Sequence, residues 1–281
     1  MNFLKEKVPW WIKMVLKITT GKLGLTSFFL RIKIFDYGKD GYGREFQVFN
    51  KHFSAVKKYL PENDFVVLEL GPGYSISSAV FTNCFGGKFT YLVDQGDFVG
   101  KKHKDKKVAS LLKFLENKGI KCNRDINYKY LTNGLKSLKE IPSSSVNFVF
   151  SNAVLEHIKK DEFIPTIKEI KRVLQDGGVC SHEVDLRDHL GRSLSHLRFS
   201  EEFWERDTIY NSGFYTNRLR FSEMIKIFKD IGFKYEIIDL QKFRKFPISK
   251  SKINSKFKDF SEDDLLVSSF QILLFRDEKA E

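Results

Sequence analysis

The chain has only three cysteines, Cys84, Cys122 and Cys180, and they are far apart in the sequence. Neither a disulfide framework nor a Cys-x-x-Cys metal site is therefore expected, and a reducing cytoplasm is the compartment that fits. No run of about 18 apolar residues is present, so a transmembrane helix is not expected. A charged n-region, an apolar h-region and a small-residue cleavage site do not occur in that order, so no secretory signal is expected either. Internal repeats and low-complexity tracts are missing as well, which argues against solenoids and linker-like chains.

What the chain does contain is a core-forming composition, 42% hydrophobic over 281 residues, which suits one enlarged α/β domain. The net charge of +12 is unevenly placed. Residues 1 to 35 carry +6, Lys101 to Lys107 (KKHKDKK) +4 and Lys242 to Lys258 +7, which leaves about −5 for the remainder. The central part of the chain is thus not basic. Nucleic-acid binding is not expected, because the recognised modules with their aromatic platforms are missing.

Residues 1–45 read as a basic, aromatic extension, in which lysines alternate with Trp10, Trp11, Ile12, Val15, Leu16, Ile18, Leu23, Leu25, Phe28, Phe29, Leu30, Ile32 and Ile34. Bases beside bulky apolar residues suit a helix packed on the domain with snorkelling lysines, a lid over a pocket, or an interfacial segment making peripheral membrane contact at the inner face. Gly21 and Gly24 interrupt a long amphipathic face, which favours packing or a lid.

The most specific segment is Phe65 to Ser75, FVVLELGPGYS. Its continuous apolar run is that of a strand covered on both faces, and Gly71 and Gly73, flanking Pro72, allow a tight turn against a ligand. A second strand, FTYLVD, ends 23 residues beyond Gly71 in Asp94, where a carboxylate can accept the hydroxyls of a ribose. A dinucleotide loop needs a third glycine where this chain has Ile76, and Glu69 would repel a pyrophosphate while pairing with a cation. The loop suits a ligand without phosphates.

On these residues the chain resembles the class I S-adenosylmethionine-dependent methyltransferases, whose first motif has the form acid-x-Gly-x-Gly. The resemblance continues at Val146 to Ile158, VNFVFSNAVLEHI, and at Glu169 to Val179, EIKRVLQDGGV, which is similar to the type 11 group in bacteria. It spans roughly residues 60 to 185. Many relatives place a third glycine where this chain has Ser75, and no acidic residue follows the third strand in an obvious place, so the adenine contact is unassigned. The resemblance implies S-adenosylmethionine as cofactor, bound by Glu69, Gly71, Pro72, Gly73, Asp94, Gln95, Ser151 and Asn152.

The rest of the chain alternates helix and strand. Phe46, Phe49, Phe53, Val56 and Leu60 recur at helical spacing before the first strand; Val108, Leu111, Leu112 and Leu115 mark a helix stopped by Gly119. Ser222 is read as capping a helix through Ile231, followed by closing strands in FKYEIIDL and SSFQILLFR. The expected fold is α/β: a Rossmann-like, doubly wound, mostly parallel seven-stranded sheet, with an N-terminal helical extension and an inserted substrate loop over about 185–221 within a domain covering 46–281.

Chemistry is expected where the fourth and fifth strands end. Glu156 and His157 follow the fourth strand, and His157 has the pKa of a general base. After the fifth comes HEVDLRDHL, in which His182, Glu183, Asp185, Asp188 and His189 could bind a substrate, act as a base or hold a metal, and Asp185 and His189 would pair at i,i+4 on a helix. No metal is expected, since Asp-His pairs are commonly satisfied partners. His157 and His189 are the catalytic candidates; Glu156, His182, Asp185, Asp188, Arg198 and Tyr215 are the substrate candidates. The expected reaction is methyl transfer to a small or medium-sized acceptor such as a saccharide or lipid-linked intermediate. Alternatives are a non-catalytic cofactor-binding module that docks a partner and an NAD-dependent sugar-modifying oxidoreductase.

Overall fold

A computed structural model describes residues 8–22, 42–99, 104–123 and 125–276. The aromatic and basic stretch from Leu23 to Ile34, Lys101 and Lys102 lie outside the described residues. In chain order the elements are α1 (Trp10–Lys22), α2 (Gly43–Val56), β1 (Val66–Leu70), α3 (Ser77–Cys84), β2 (Phe89–Val93), α4 (Lys104–Glu116), β3 (Tyr128–Leu131), α5 (Leu135–Lys139) and β4 (Val146–Asn152). They continue as α6 (Lys160–Val173), β5 (Leu174–Asp185), α7 (Glu201–Trp204), α8 (Asp207–Tyr210), α9 (Phe221–Asp230), β6 (Phe233–Lys242), α10 (Glu262–Leu266) and β7 (Val267–Arg276). The seven strands form one sheet in the order β3-β2-β1-β4-β5-β7-β6. Pairs among β1 to β5 are parallel, and β7 runs antiparallel between β5 and β6. This is the Rossmann-like sheet expected.

Both faces of the sheet are covered, which is why β1 and β4 are almost continuously apolar. Phe49, Phe53 and Val56 of α2 bury against Val67, Phe148 and Phe150 on one face. Phe163, Ile167 and Ile170 of α6 and Met224 and Phe228 of α9 bury against Leu68, Val149, Cys180 and Ile272 on the other. Each such side chain contributes about 1.5–3 kcal/mol relative to exposure. In α6, Asp161 and Glu162 sit in the first turn and Lys171 and Arg172 in the last, matching the helix dipole at both ends. The cap of α9 differs from expectation: Arg220 is the N-cap, and its backbone N–H donates to Glu223 (2.9 Å), while the Ser222 N–H donates to Asp264 (2.7 Å).

The segment between β5 and α9 builds a third core, in which Leu190, Trp204, Ile209, Phe214 and Tyr215 receive Trp10, Met14 and Ile18 of α1. Buried cations lace it to the domain. Arg220, fully buried, donates to the carbonyls of Leu186 (3.3 Å), Leu265 (3.1 Å) and Val267 (2.7 Å), and Arg218 donates to Glu201 (2.7 Å) and the Phe199 carbonyl (2.8 Å). Among the described residues no helix is long and apolar enough to cross a membrane.

One expectation is corrected here. Cys84 and Cys122 form a disulfide, 38 residues apart in sequence, and only Cys180 is free. Distance along the chain said nothing of distance across the fold, since the end of α3 and the approach to β3 lie side by side. The cysteine count therefore no longer argues for a reducing compartment.

Candidate active site

The carboxyl ends of β1 and β2 build the first half of the site. Gly71 (φ +69°) and Gly73 (φ +62°) take left-handed conformations that glycine adopts without strain. A Cβ at Gly71 would meet Val154 at 2.5 Å, whereas one at Gly73 would meet nothing within 4 Å, so Gly73 borders open space. Asp94 accepts the Gly73 N–H through Oδ2 (2.9 Å) and the Gln95 N–H through Oδ1 (2.7 Å). Its carboxylate pins the loop and keeps outer lone pairs for a ligand. Burial raises its pKa against the effect of those two bonds.

Glu69, at the end of β1, keeps some solvent exposure, yet the protein around it desolvates the carboxyl enough to push its pKa up to about 8. A hydrogen bond from Ser78 opposes the rise, and the neighbouring Glu45 and Asp94 carboxylates add to it. Glu45, on α2, accepts the hydroxyls of Ser75 (2.8 Å) and Ser77. Three carboxylates thus converge on one loop. Beside it, the rings of Tyr74 and Phe98 meet edge to face at 5.8 Å, with Phe98 exposed.

The second half follows β4. Ala153 sits at φ +54°, a strained conformation for a non-glycine, and Glu156 and His157 lie in the next turn. Asn217 ties that turn to the inserted segment, donating its amide to the carbonyls of Leu155 (2.8 Å) and Ile158 (3.1 Å). Nδ1–H of His157 donates to the Tyr215 carbonyl (2.7 Å), which leaves the lone pair on Nε2. The rings of His157 and His189 stack at 4.7 Å. Burial lowers the pKa of both, His189 to about 4, with each ring's charge further disfavoured by nearby Lys17. Both imidazoles are therefore neutral at pH 7.

Glu156 is 1% exposed; its Oε1 accepts the Asp185 N–H (3.3 Å) and its Oε2 has no hydrogen-bond partner among the described residues. Burial pushes its pKa up to about 8; its own N–H and that of Asp185 oppose, and the negative Asp185 and Glu183 reinforce. Asp185 does not pair with His189, because residues 186–189 are not helical. It forms a two-point ion pair with Arg187, Nε and Nη2 each at 2.7 Å. Burial alone would raise its pKa, and this guanidinium holds it below the usual value.

Several sequence candidates lie elsewhere. The Ser151 hydroxyl and His182 Nδ1 bond each other (2.8 Å) and both side chains are fully buried, so neither side chain is open to a ligand. Asp188 spends its carboxylate on the N–H groups of Leu190 (3.0 Å), Gly191 (2.5 Å), Ser193 (3.1 Å) and Ser195 (2.9 Å), which makes it a loop brace. Tyr215 gives its hydroxyl to Glu205 (2.7 Å) and only its carbonyl to the site. Asn152 lies beside His52. Arg198 lies over the Trp10 ring at 5.4 Å, against α1. The Gln95 side chain packs over Gly134, where a Cβ would meet it at 2.7 Å.

Residues 68–181 match the family model of a methyltransferase domain. Over these residues the chain is similar to the type 11 methyltransferases. No curated protein matches the sequence. Solved structures that resemble it include phosphoethanolamine N-methyltransferase 2 of Haemonchus contortus in complex with phosphomonomethylethanolamine and S-adenosylhomocysteine (17% identity, 82% of this chain and 53% of that chain, TM-score 0.47). The YcgJ protein of Bacillus subtilis (15%, 80% and 97%, 0.46) and the arsenic(III) S-adenosylmethionine methyltransferase of Chlamydomonas reinhardtii (14%, 78% and 66%, 0.47) are similar to comparable degrees. The chain spans about half the length of the Haemonchus enzyme.

The Gly71–Gly73 loop fits S-adenosylmethionine, the cofactor that the sequence resemblance implies. S-adenosylmethionine carries positive charge at its methionine end, and the converging carboxylates of Glu45, Glu69 and Asp94 favour a cation. Ile76, fully buried, fills the place of the third glycine that a pyrophosphate site needs. A concavity of about 600 Å³ at the opposite end of the sheet is lined by Lys168, Lys171, Arg172 and Arg276. Its cations are already used in the fold, as with Lys171 on the Ile231 carbonyl (2.7 Å), Arg172 on Glu169 (2.7 Å) and Arg276 on Asp176 (2.9 Å). Glu45 and Lys17 are the polar residues that reading the sequence did not find. Both come from helices that reach the loop and the histidines across the fold, and their only signal was a charge on a helix near the N-terminus.

Proposed function

We propose that the chain transfers a methyl group from S-adenosylmethionine to a nucleophilic atom of a small or medium-sized acceptor, with a saccharide or lipid-linked intermediate as the first class to test. When bound, the cofactor supplies an electrophilic methyl carried on a sulfonium. Glu69 and Asp94 hold its methionine end and ribose, and the pocket formed by the β4 turn, β5 and the inserted segment takes the acceptor. The carrying observation is the neutral His157, whose tautomer is set by the Tyr215 carbonyl so that Nε2 can accept a proton. His189, stacked on it, and the Asp185–Arg187 pair line the same pocket. In this reading α1 is a wall of the acceptor site, since Lys17 acts electrostatically on both histidines.

Calorimetry with S-adenosylmethionine, S-adenosylhomocysteine and NAD, followed by a screen of cell extract fractions with radiolabelled cofactor, tests the proposal. Binding of NAD alone would replace it with the oxidoreductase reading, and cofactor binding with no acceptor labelled by any fraction would favour a docking module. Trp11, Val15 and Leu16 on the outer face of α1 are 53%, 53% and 59% exposed, which favours peripheral membrane contact as a second role for that helix. Co-sedimentation with anionic vesicles, lost in Trp11→Ser, tests it.

A further inference from the structure

Glu156, His157 and His189 each offer one donor atom, and the three atoms lie within 4.8 Å of one another. We propose that these side chains hold a single divalent cation of the zinc class, a role the sequence did not suggest for this trio.

The first argument is what the donors leave undone. In a purely structural trio the polar atoms would satisfy one another, yet Glu156 Oε2 and His189 Nε2 are buried without a hydrogen-bond partner among the described residues. Leaving such a group unpaired costs about 1–3 kcal/mol, and a coordinated cation would remove that cost for both. Glu156 is also nearly inaccessible, at 1% exposure, so bulk water does not substitute.

The second argument is orientation. A metal-ligating histidine characteristically gives its other ring N–H to a carbonyl or carboxylate, which fixes the tautomer and aims the lone pair. His157 does this through Nδ1 and the Tyr215 carbonyl at 2.7 Å. The supports are stiff: Asn217 laces the turn that carries Glu156 and His157, and four N–H groups closed on Asp188 brace the loop that carries His189.

The third argument is donor chemistry. Two imidazoles and one carboxylate are the protein ligands of a three-ligand zinc site with open positions. Zinc ligands at about 2.1 Å in tetrahedral array are about 3.4 Å apart, so the trio, now within 4.8 Å, has to close, and the two stacked imidazoles have to turn until both lone pairs meet the ion. Lys17 and Arg187 both bring positive charge near His189, and Arg187 is ion-paired with Asp185. What the cation would do, bind a heteroatom of the acceptor and lower its pKa, rests on the acceptor-site reading above, and with the cation bound His157 would be a ligand and not the base. Its presence does not.

The test uses the full chain stripped with chelator and titrated with Zn²⁺ by calorimetry, with Co²⁺ as an optical probe. One equivalent should bind, with a visible Co²⁺ spectrum, and affinity should fall about 100-fold or more in His189→Ala and in Glu156→Gln, beyond what loss of a supporting residue costs. If Glu156→Gln does not fold, His189→Ala, at a half-buried position, carries the test. No Zn²⁺ uptake by the wild type, or uptake undiminished in His189→Ala, would overturn the proposal. S-adenosylhomocysteine titrated into the same samples reports separately on the methyltransferase reading.

Discussion

Asp94 is expected to do two things at once, and replacing it separates them. In Asp94→Ala the Gly73 and Gln95 N–H groups lose acceptors at 2.9 and 2.7 Å, and the proposed bonds to the ribose hydroxyls go with them. The two backbone donors are near solvent, so water replaces much of that loss, and loosening the loop costs about 1 kcal/mol. Loss of charge-assisted bonds to the ligand adds about 1.5–3 kcal/mol. The sum, about 2.5–4 kcal/mol, corresponds to a weakening of roughly 60- to 700-fold, at tenfold per 1.4 kcal/mol. Asp94→Asn should fall between, because one amide oxygen keeps one backbone bond while the NH₂ group faces a donor. Calorimetry with S-adenosylhomocysteine at constant pH, with a thermal melt to confirm folding, measures both. An affinity within threefold of wild type in Asp94→Ala would refute the role of this carboxylate in cofactor binding.

Four further outcomes are expected. Gly73→Val should abolish cofactor binding while the domain stays folded, because the side chain enters space bordered by nothing within 4 Å and the left-handed φ is local to the loop; normal binding would show that the loop is only structural. His157→Ala and His189→Ala should each keep S-adenosylhomocysteine affinity within a few-fold while turnover drops by about 10² or more, with wild-type turnover in both removing them from catalysis. Stability should peak near pH 6.5. Glu69 and Glu156, with folded pKa values raised to about 8, lose their stabilising contribution as pH rises from the ordinary carboxyl range through 8. Buried His52 and His189, lowered to about 4, and His182, lowered to about 3, lose theirs as pH falls below 6.5. Melting temperature followed from pH 5 to 9 checks this, and a monotonic profile would contradict it. Finally, thiol titration of the denatured, unreduced chain should find one free cysteine, and Cys84→Ser with Cys122→Ser should cost about 4 kcal/mol in urea unfolding, from closing a loop of 38 residues; three free thiols would remove the bridge.

The parts of this molecule that could be read from its sequence are those set by neighbours along the chain. The β1 run, the Gly71–Gly73 turn and Asp94 belong to two strands whose side-by-side pairing, Leu70 beside Val93, follows from the βα alternation alone. The sheet and its two helical layers follow from the same periodicity. Contacts made across the fold were not legible. Cys84 meets Cys122, Glu45 reaches the loop from α2, and Lys17 reaches the histidines from α1 only because of how the layers stack. The segment after β5 shows why residue type misleads there. His182 and Asp188 look like site residues as much as His157 and His189 do, and all four have polar atoms to give.

What separates these residues is how many of those atoms the fold has already used. Asp188 gives both oxygens to four backbone N–H groups, and a carboxylate so bound braces a loop and has little left for a ligand. His182 Nδ1 is taken by Ser151, and its Nε2, although unpaired, is sealed in a side chain with 0% exposure, where no substrate can follow. Glu156, His157 and His189 each bring a donor atom to the same place, where Glu156 Oε2 and His189 Nε2 have no hydrogen-bond partner among the described residues and both histidines keep some exposure. Burial that leaves a donor both unpaired and grouped with others is destabilising unless something else binds there. The same stretch of polar sequence therefore divides into a brace and a site according to how its hydrogen bonds are spent.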